Sequence, residues 1–345
     1  MIYLIRTVLR EDFILKFDKI LPYLDNFVFK LISFGAKRKF IKHYNQYIKF
    51  GKIPKNVEEI IILANYKTRG KIRQSIISTS SKSQIPNNSN LFSSETIDRV
   101  VSELRHFGFS VVGNLRDDKI KFELDNLKNL PVFSRKNKNA RFLINPKNVS
   151  NPDSSLDHMY SVLPEQVFEN TGIQNLILDG FWKQISDSYL GAPTRISSLR
   201  CWYSFPTSDK ANLTPENWHL DAGDGMNFIK FFLLLSDVQL ESGPTSVIPI
   251  PSHILPRKFY TGRRYSDLEI NEVLNKKNLN EIKAIGKAGT IYVIDTRLLH
   301  RGTPVESGFR FLVNWMASAD KFGSISREDF KLKPENPLAH RSDLI

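Results

Sequence analysis

From about residue 198 onward the chain consists of short runs rich in β-branched and aromatic residues, at 199–205, 227–235, 245–250, 290–294 and 309–315, with Gly, Pro and Asn between them. Runs of this length bury alternate side chains as strands, and the residues between them make turns. Only 266–277 reads as a helix in this half. Many short strands after a helical opening predict an antiparallel sandwich or jelly roll, not a parallel nucleotide-binding sheet. Consistent with that, no glycine-rich phosphate loop of the Walker or dinucleotide type occurs.

The upstream half divides by composition. Residues 78–94 are dominated by Ser and Asn and read as a linker. Ser94 then suits a helix cap, with Glu95 and Asp98 in the positive first turn, and the helix runs through Val100, Val101 and Leu104 to a stop at Gly108, followed by a strand at 109–112. Before the linker, Phe13, Phe17, Ile20, Leu21, Leu24, Phe27, Val28 and Leu31 recur at helical spacing, broken near Pro22, and a second helical stretch spans 57–66. The expected organisation is a basic helical segment at 1–77, the linker at 78–94, a catalytic-sized domain at 95–325 and a polar tail at 326–345.

Charge separates the same parts. Residues 1–83 hold 17 Lys/Arg against 6 Asp/Glu, a net of +11, and the remaining 262 residues hold 32 against 30, so nearly all of the formal +13 lies in the first quarter. An apolar helical face beside Lys37, Arg38, Lys39 and Lys42 could rest on an anionic membrane surface or a lipid-linked carrier, or else pack on the main domain as a helical hairpin. Its aromatics follow core-like helical spacing and form no stacking platform, which disfavours nucleic acid. No run is long and apolar enough to span a bilayer, and the first ten residues lack the apolar core of a signal peptide. One cysteine, Cys201, excludes a disulfide framework and a cysteine-rich zinc site. A cytoplasmic location is the expectation.

Chemistry concentrates in two places. In Asn217-Trp218-His219-Leu220-Asp221, an extended backbone would project His219 and Asp221 to the same side and offer an imidazole and a carboxylate to one metal. By itself the pair fits a surface histidine beside a turn aspartate equally well. His300, at the end of the strand that starts at Thr290 and runs to Asp295, supplies a third donor, and Arg310 opens the next apolar strand, where a buried guanidinium must find an anion and can grip a carboxylate bidentately. Two histidines and a carboxylate on one face, with open positions opposite, are the arrangement of non-haem Fe(II) oxygenases, although a cupin-like site could also hold Mn or Zn. The other histidines sit in charged helices (His43, His106), a turn (His253) or the tail (His340), and His158 stays open.

Over about residues 95–318, and most closely over 198–316, the sequence resembles the phytanoyl-CoA dioxygenase-like branch of the Fe(II)/2-oxoglutarate-dependent oxygenases. The residues that carry the likeness are Trp218-His219-Leu220-Asp221, Lys230 through Val238, Glu241-Ser242-Gly243-Pro244, Val247 through His253, Gly289-Thr290, His300-Arg301-Gly302 and Arg310. The resemblance implies a double-stranded β-helix, a cupin-like jelly roll, with Fe(II) on His219, Asp221 and His300 at its mouth. It places the distal carboxylate of 2-oxoglutarate on Arg310 and the hydroxyl of Thr303 nearby. Lys230 and Phe232, two apart on one strand, share a face that lines either the cosubstrate pocket or the packed interior. One of Trp202 and Tyr203 should point inward.

The activity so implied is hydroxylation of a C–H bond of a small-molecule or carrier-linked metabolite, with O2 consumed and 2-oxoglutarate converted to succinate and CO2. The carboxylate at Asp221 occupies the place a halide would need, which disfavours halogenation. Arg257, Lys258, Arg263 and Arg264 near the expected mouth suit an anionic substrate or simply a solvated loop. The competing reading is an inactive jelly-roll binding module docked to an anionic partner through the basic N-terminal segment.

Overall fold

A computed structural model describes residues 91–134, 141, 143–144, 158–207, 217–221, 228–249 and 264–319. The basic segment, most of the linker, the tail, His253 and the cations at 257, 258 and 263 lie outside the described residues. In chain order the elements are α1 (Ser94–Phe107), β1 (Phe109–Asn114), α2 (Asp118–Asp125), β2 (Val132–Ser134), β3 (Met159–Val162), α3 (Pro164–Glu169), α4 (Thr171–Ile177), α5 (Gly180–Leu190), β4 (Arg195–Ser204) and β5 (Phe228–Leu234). They continue with β6 (Thr245–Val247), α6 (Asp267–Lys277), β7 (Ile282–Ala284), β8 (Thr290–Ile294), β9 (His300–Gly302) and β10 (Arg310–Ser318). Among the described residues no helix is long and apolar enough to cross a membrane.

The strands form two antiparallel sheets, a seven-stranded one ordered β1-β8-β5-β10-β4-β3-β2 and a three-stranded one ordered β7-β6-β9. The larger sheet is buried on both faces, and its period-2 alternation decides which residues go where. Leu199, Cys201 and Tyr203 of β4, Ile229, Phe231 and Leu233 of β5, and Phe311, Val313 and Trp315 of β10 turn toward the helices, where they meet Val100 and Leu104 of α1 and Phe181, Trp182 and Ile185 of α5. The intervening residues Phe232, Leu234, Tyr292, Ile294 and Leu312 turn the other way and pack on Val247 and Ala284 of the smaller sheet, with Trp202 against them. This resolves the pair on β4: Trp202 faces the interior between the sheets and Tyr203 the helices. Each such large apolar side chain contributes about 1.5–3 kcal/mol on burial, so the two cores together make this a mainly β jelly roll clad by helices on one face.

Two boundaries differ from the sequence reading. Ser93, with extended backbone, is the residue at the cap of α1, and Ser94 is already helical; the end at Gly108 is left-handed (φ 66°), as a glycine stop requires. His300 does not end the strand that begins at Thr290. A turn at 295–299 carries the chain from β8 in the larger sheet to β9 in the smaller one.

Candidate metal centre

The centre is assembled by backbone pairing before any side chain acts. The His219 and His300 main chains exchange two hydrogen bonds of 3.0 Å, so the segment 218–219 extends the smaller sheet beyond β9. Tyr265 donates its amide to Trp218 (2.8 Å) and pairs outside it. The amide of Asp221 donates to the carbonyl of Thr296 (2.9 Å), which ties the carboxylate to the turn preceding His300.

That turn is itself held rigidly. Asp295, 2 % exposed, accepts from the amide of Arg297 (3.1 Å), its Nε (2.7 Å) and Nη2 (2.5 Å), and the hydroxyl of Tyr189 on α5 (2.8 Å). Its own amide donates to Gly108 (2.8 Å). A Cβ at Gly108 would lie 1.8 Å from Cδ1 of Leu298, so glycine there is required both by φ and by the closeness of the turn.

Among the described residues, His219, Asp221 and His300 form the one cluster of donors able to hold a metal, with their donor atoms all within 4.8 Å of one another. Nδ1 of His219 is 2.8 Å from the carbonyl of Asn217, and Nδ1 of His300 is 2.9 Å from that of Leu298. A carbonyl only accepts, so each Nδ1 carries the proton and each Nε2 keeps its lone pair. Both Nε2 atoms face Asp221, at 3.7 Å from Oδ1 for His219 and 3.4 Å from Oδ2 for His300. With metal–ligand bonds of about 2.1 Å, donors at these separations can share one ion, and a two-nitrogen, one-carboxylate set suits a first-row divalent metal.

Burial, then the neighbouring His300 and the Arg264 cation, push His219 down to about 3, against the opposing pull of Asp221 and the Asn217 carbonyl, so its imidazole is neutral near pH 7. Burial alone would raise Asp221, but Lys230, His300 and His219 outweigh it and hold the carboxyl well below the usual range. His219 and Asp221 thus stand in the protonation state a metal needs.

Arg310, 5 % exposed, opens β10 and brings its guanidinium against Gly302 of β9. Its Nη1 donates to the carbonyl of Gly243 and its Nη2 to Oγ of Ser204 (3.2 Å). A Cβ at Gly302, two residues after His300, would come within 3.0 Å of Nη2, so the glycine makes the room that the guanidinium occupies. Thr303 donates its hydroxyl to the carbonyl of Pro244 (2.5 Å), as does its amide (2.9 Å), and so clamps the loop that presents Gly243. Lys230 stands on the inner face of β5 and donates to Oδ2 of Asp221 (2.8 Å).

Two features were not read from the sequence. Lys230 reaching a metal-ligand carboxylate depends on where β5 lies relative to 217–221, which spacing does not give. A brace on the far side of the histidines is the second. The Arg301 guanidinium lies 4.5 Å over the ring of Trp218, and both donate to Asp267 at the start of α6, at 2.6 and 2.9 Å. The only sequence signal for it was that each of the two candidate histidines has a large polar or aromatic chain neighbour pointing the opposite way.

No family model matches the sequence, and no curated protein is significantly similar to it. Among solved structures, the chain is similar to apo EctD from S. alaskensis (18 % identity, 69 % of this chain and 80 % of that one, TM-score 0.45). It is also similar to the non-haem α-ketoglutarate-dependent epimerase SnoN in complex with Fe3+, α-ketoglutarate and nogalamycin RO (15 %, 66 % and 84 %, 0.42). A third is the non-haem α-ketoglutarate-dependent carbocyclase SnoK (15 %, 77 % and 94 %, 0.42). Likenesses this distant leave the argument to the residues themselves.

Proposed function

We propose that the protein is an Fe(II)- and 2-oxoglutarate-dependent oxygenase of the phytanoyl-CoA dioxygenase-like kind, acting on a C–H bond of a small-molecule or carrier-linked metabolite. The observation that carries the reading is the convergence of two imidazoles and one carboxylate, with a buried arginine against Gly302 on the strand that begins with His300. His219, Asp221 and His300 would hold the metal, a three-donor set that would leave coordination positions for a cosubstrate and oxygen. Fe(II) supplies the oxygen activation that drives oxidative decarboxylation of 2-oxoglutarate and oxidation of the substrate.

The chain's own part is placement. Arg310 takes the distal carboxylate of 2-oxoglutarate as a bidentate partner, in a buried setting where the ion pair is weakly screened. The backbone bonds of Asn217 and Leu298 keep both imidazoles in the ligating tautomer and orientation. Trp202, Phe232, Leu234 and Tyr292 line the interior between the sheets and exclude water from the reacting atoms.

Anaerobic titration of the purified protein with Fe(II) and 2-oxoglutarate tests this through the visible metal-to-ligand charge-transfer band. A band that is lost in Arg310→Ala at limiting cosubstrate is the expected result. Metal binding without a band would assign the centre to another metal chemistry or to an inactive binding module. We further propose that the basic segment at 1–83 docks the enzyme to an anionic surface. Removing it should spare 2-oxoglutarate binding and weaken attachment to anionic liposomes.

A further inference from the structure

The inner wall of β5 carries one charged residue among aromatics and aliphatics. Lys230 pairs across the sheet with Met316 on β10 and Ile294 on β8, and its side chain is 11 % exposed. Its ammonium donates to Oδ2 of Asp221 (2.8 Å) and lies over the face of Phe228, whose ring centroid is 5.7 Å away. A largely buried ammonium carries a desolvation penalty that an apolar residue on the same wall would not incur. Its position against a ligand carboxylate therefore calls for a reason beyond packing.

We infer that Lys230 is a positioning residue for the metal centre, which engages one oxygen of Asp221 so that the carboxylate ligates through the other alone. The inference deepens the oxygenase reading and rests on it for its consequence, since a carboxylate confined to one bond leaves free the position that a bidentate cosubstrate must take. The ammonium approaches from β5, whereas Arg310 approaches from the start of β10 beside Gly302, so the two cations act on different anions. Loss of the amine would let the carboxylate rotate and take a second position on the metal. A cosubstrate would then have to displace it, and a charge-assisted hydrogen bond of this kind is worth enough to change affinity about tenfold.

The test compares wild type, Lys230→Met and Lys230→Arg, each loaded with Co(II) as a spectroscopic probe and then with Fe(II) and 2-oxoglutarate without oxygen. Lys230→Met is expected to change the Co(II) d–d spectrum in the absence of cosubstrate, and to raise the apparent Kd for 2-oxoglutarate about tenfold with a shifted charge-transfer band. Lys230→Arg, which keeps a donor, should restore both toward wild type. Thermal unfolding of the metal-free proteins separates these effects from simple loss of fold. An unchanged Co(II) spectrum in a folded Lys230→Met protein overturns the inference. Absence of any charge-transfer band in the wild type would instead overturn the oxygenase reading and leave the Co(II) comparison as the judge of Lys230.

Discussion

The guanidinium of Arg301 lies 4.5 Å over the indole of Trp218, directly behind the paired backbone that joins His300 to His219. Each member of this pair is the chain neighbour of one of the two clustered histidines, and both donate to Asp267, whose own place is set by the Ser266 cap of α6. The two donor strands are therefore held together by main-chain bonds in front and by this stack behind.

Arg301→Ala removes the stack and the bond to Asp267 while leaving the metal donors in place. The Asp267 carboxylate is well exposed, so that bond contributes at most about 1 kcal/mol; the partly buried stack adds about 0.5–2 kcal/mol. The expected outcome is a Tm lower by a few degrees in the metal-free protein, together with a few-fold weaker Co(II) affinity, measured by thermal unfolding and by titration. A variant that loses stability but binds Co(II) with wild-type affinity would show that the brace holds α6 and not the centre.

Gly302→Ala addresses the other cation. The added methyl would sit 3.0 Å from Nη2 and 3.5 Å from Nη1 of Arg310, closer than carbon normally approaches such groups, and the bonds to Gly243 and Ser204 resist its retreat. The displaced guanidinium should weaken 2-oxoglutarate binding by about tenfold or less, roughly 1 kcal/mol, with the metal affinity unchanged. Calorimetric titration with each ligand separately reads the two effects, and equal weakening of both would contradict this account.

How much of this was legible in the sequence follows from how local each feature is. The strand at Thr290–Ile294 and the helix beginning after Ser266 were readable because their own residues specify them, through a run of β-branched and aromatic residues in one case and a capping box in the other. The pairing of His219 with Asp221 was readable because residues two apart on extended chain share a side. The helices between Asp118 and Leu190 were not read, since their short apolar faces take shape only against the strands they cover. The turn at 295–299 was missed for a related reason. Asp295, Thr296 and Arg297 look like a strand end in sequence, and only Tyr189 and Gly108, more than a hundred residues away, reveal that they anchor a crossing between sheets.

Thr303→Val distinguishes a structural hydroxyl from a ligand-binding one. The side chain has a single proton, which it gives to the carbonyl of Pro244. A carboxylate can only accept, so that proton is not available to a cosubstrate. The nearly isosteric valine should cost about 0.5–1.5 kcal/mol of stability and change the Kd for 2-oxoglutarate by less than about twofold, within what an unmade contact allows. Denaturant unfolding and cosubstrate titration of the same preparation check both halves. A large loss of cosubstrate affinity without loss of stability would return Thr303 to the binding site.

Tyr292 gives the interior wall a measurable pH signature. Its hydroxyl is buried, lies 2.9 Å from Oγ1 of Thr245, and its ring stacks on Phe232 with centroids 5.0 Å apart. Burial pushes its pKa up from 10.0 to about 12, with the Thr245 bond and the Arg310 charge pulling weakly the other way. A group with its folded pKa raised binds its proton more tightly when native. Its contribution to stability is thus complete below about pH 10 and is lost as the pH rises toward about 12, where the unfolded chain sheds a proton that the native one retains. Wild type minus Tyr292→Phe should therefore shrink in unfolding free energy between pH 9 and pH 11.5, by on the order of 1–2 kcal/mol at about 1.4 kcal/mol per unit. Other tyrosines and lysines titrate in both proteins and cancel in the difference. A difference that stays flat across that range would mean the phenol ionises as if exposed, and that water enters the interior beside the metal centre.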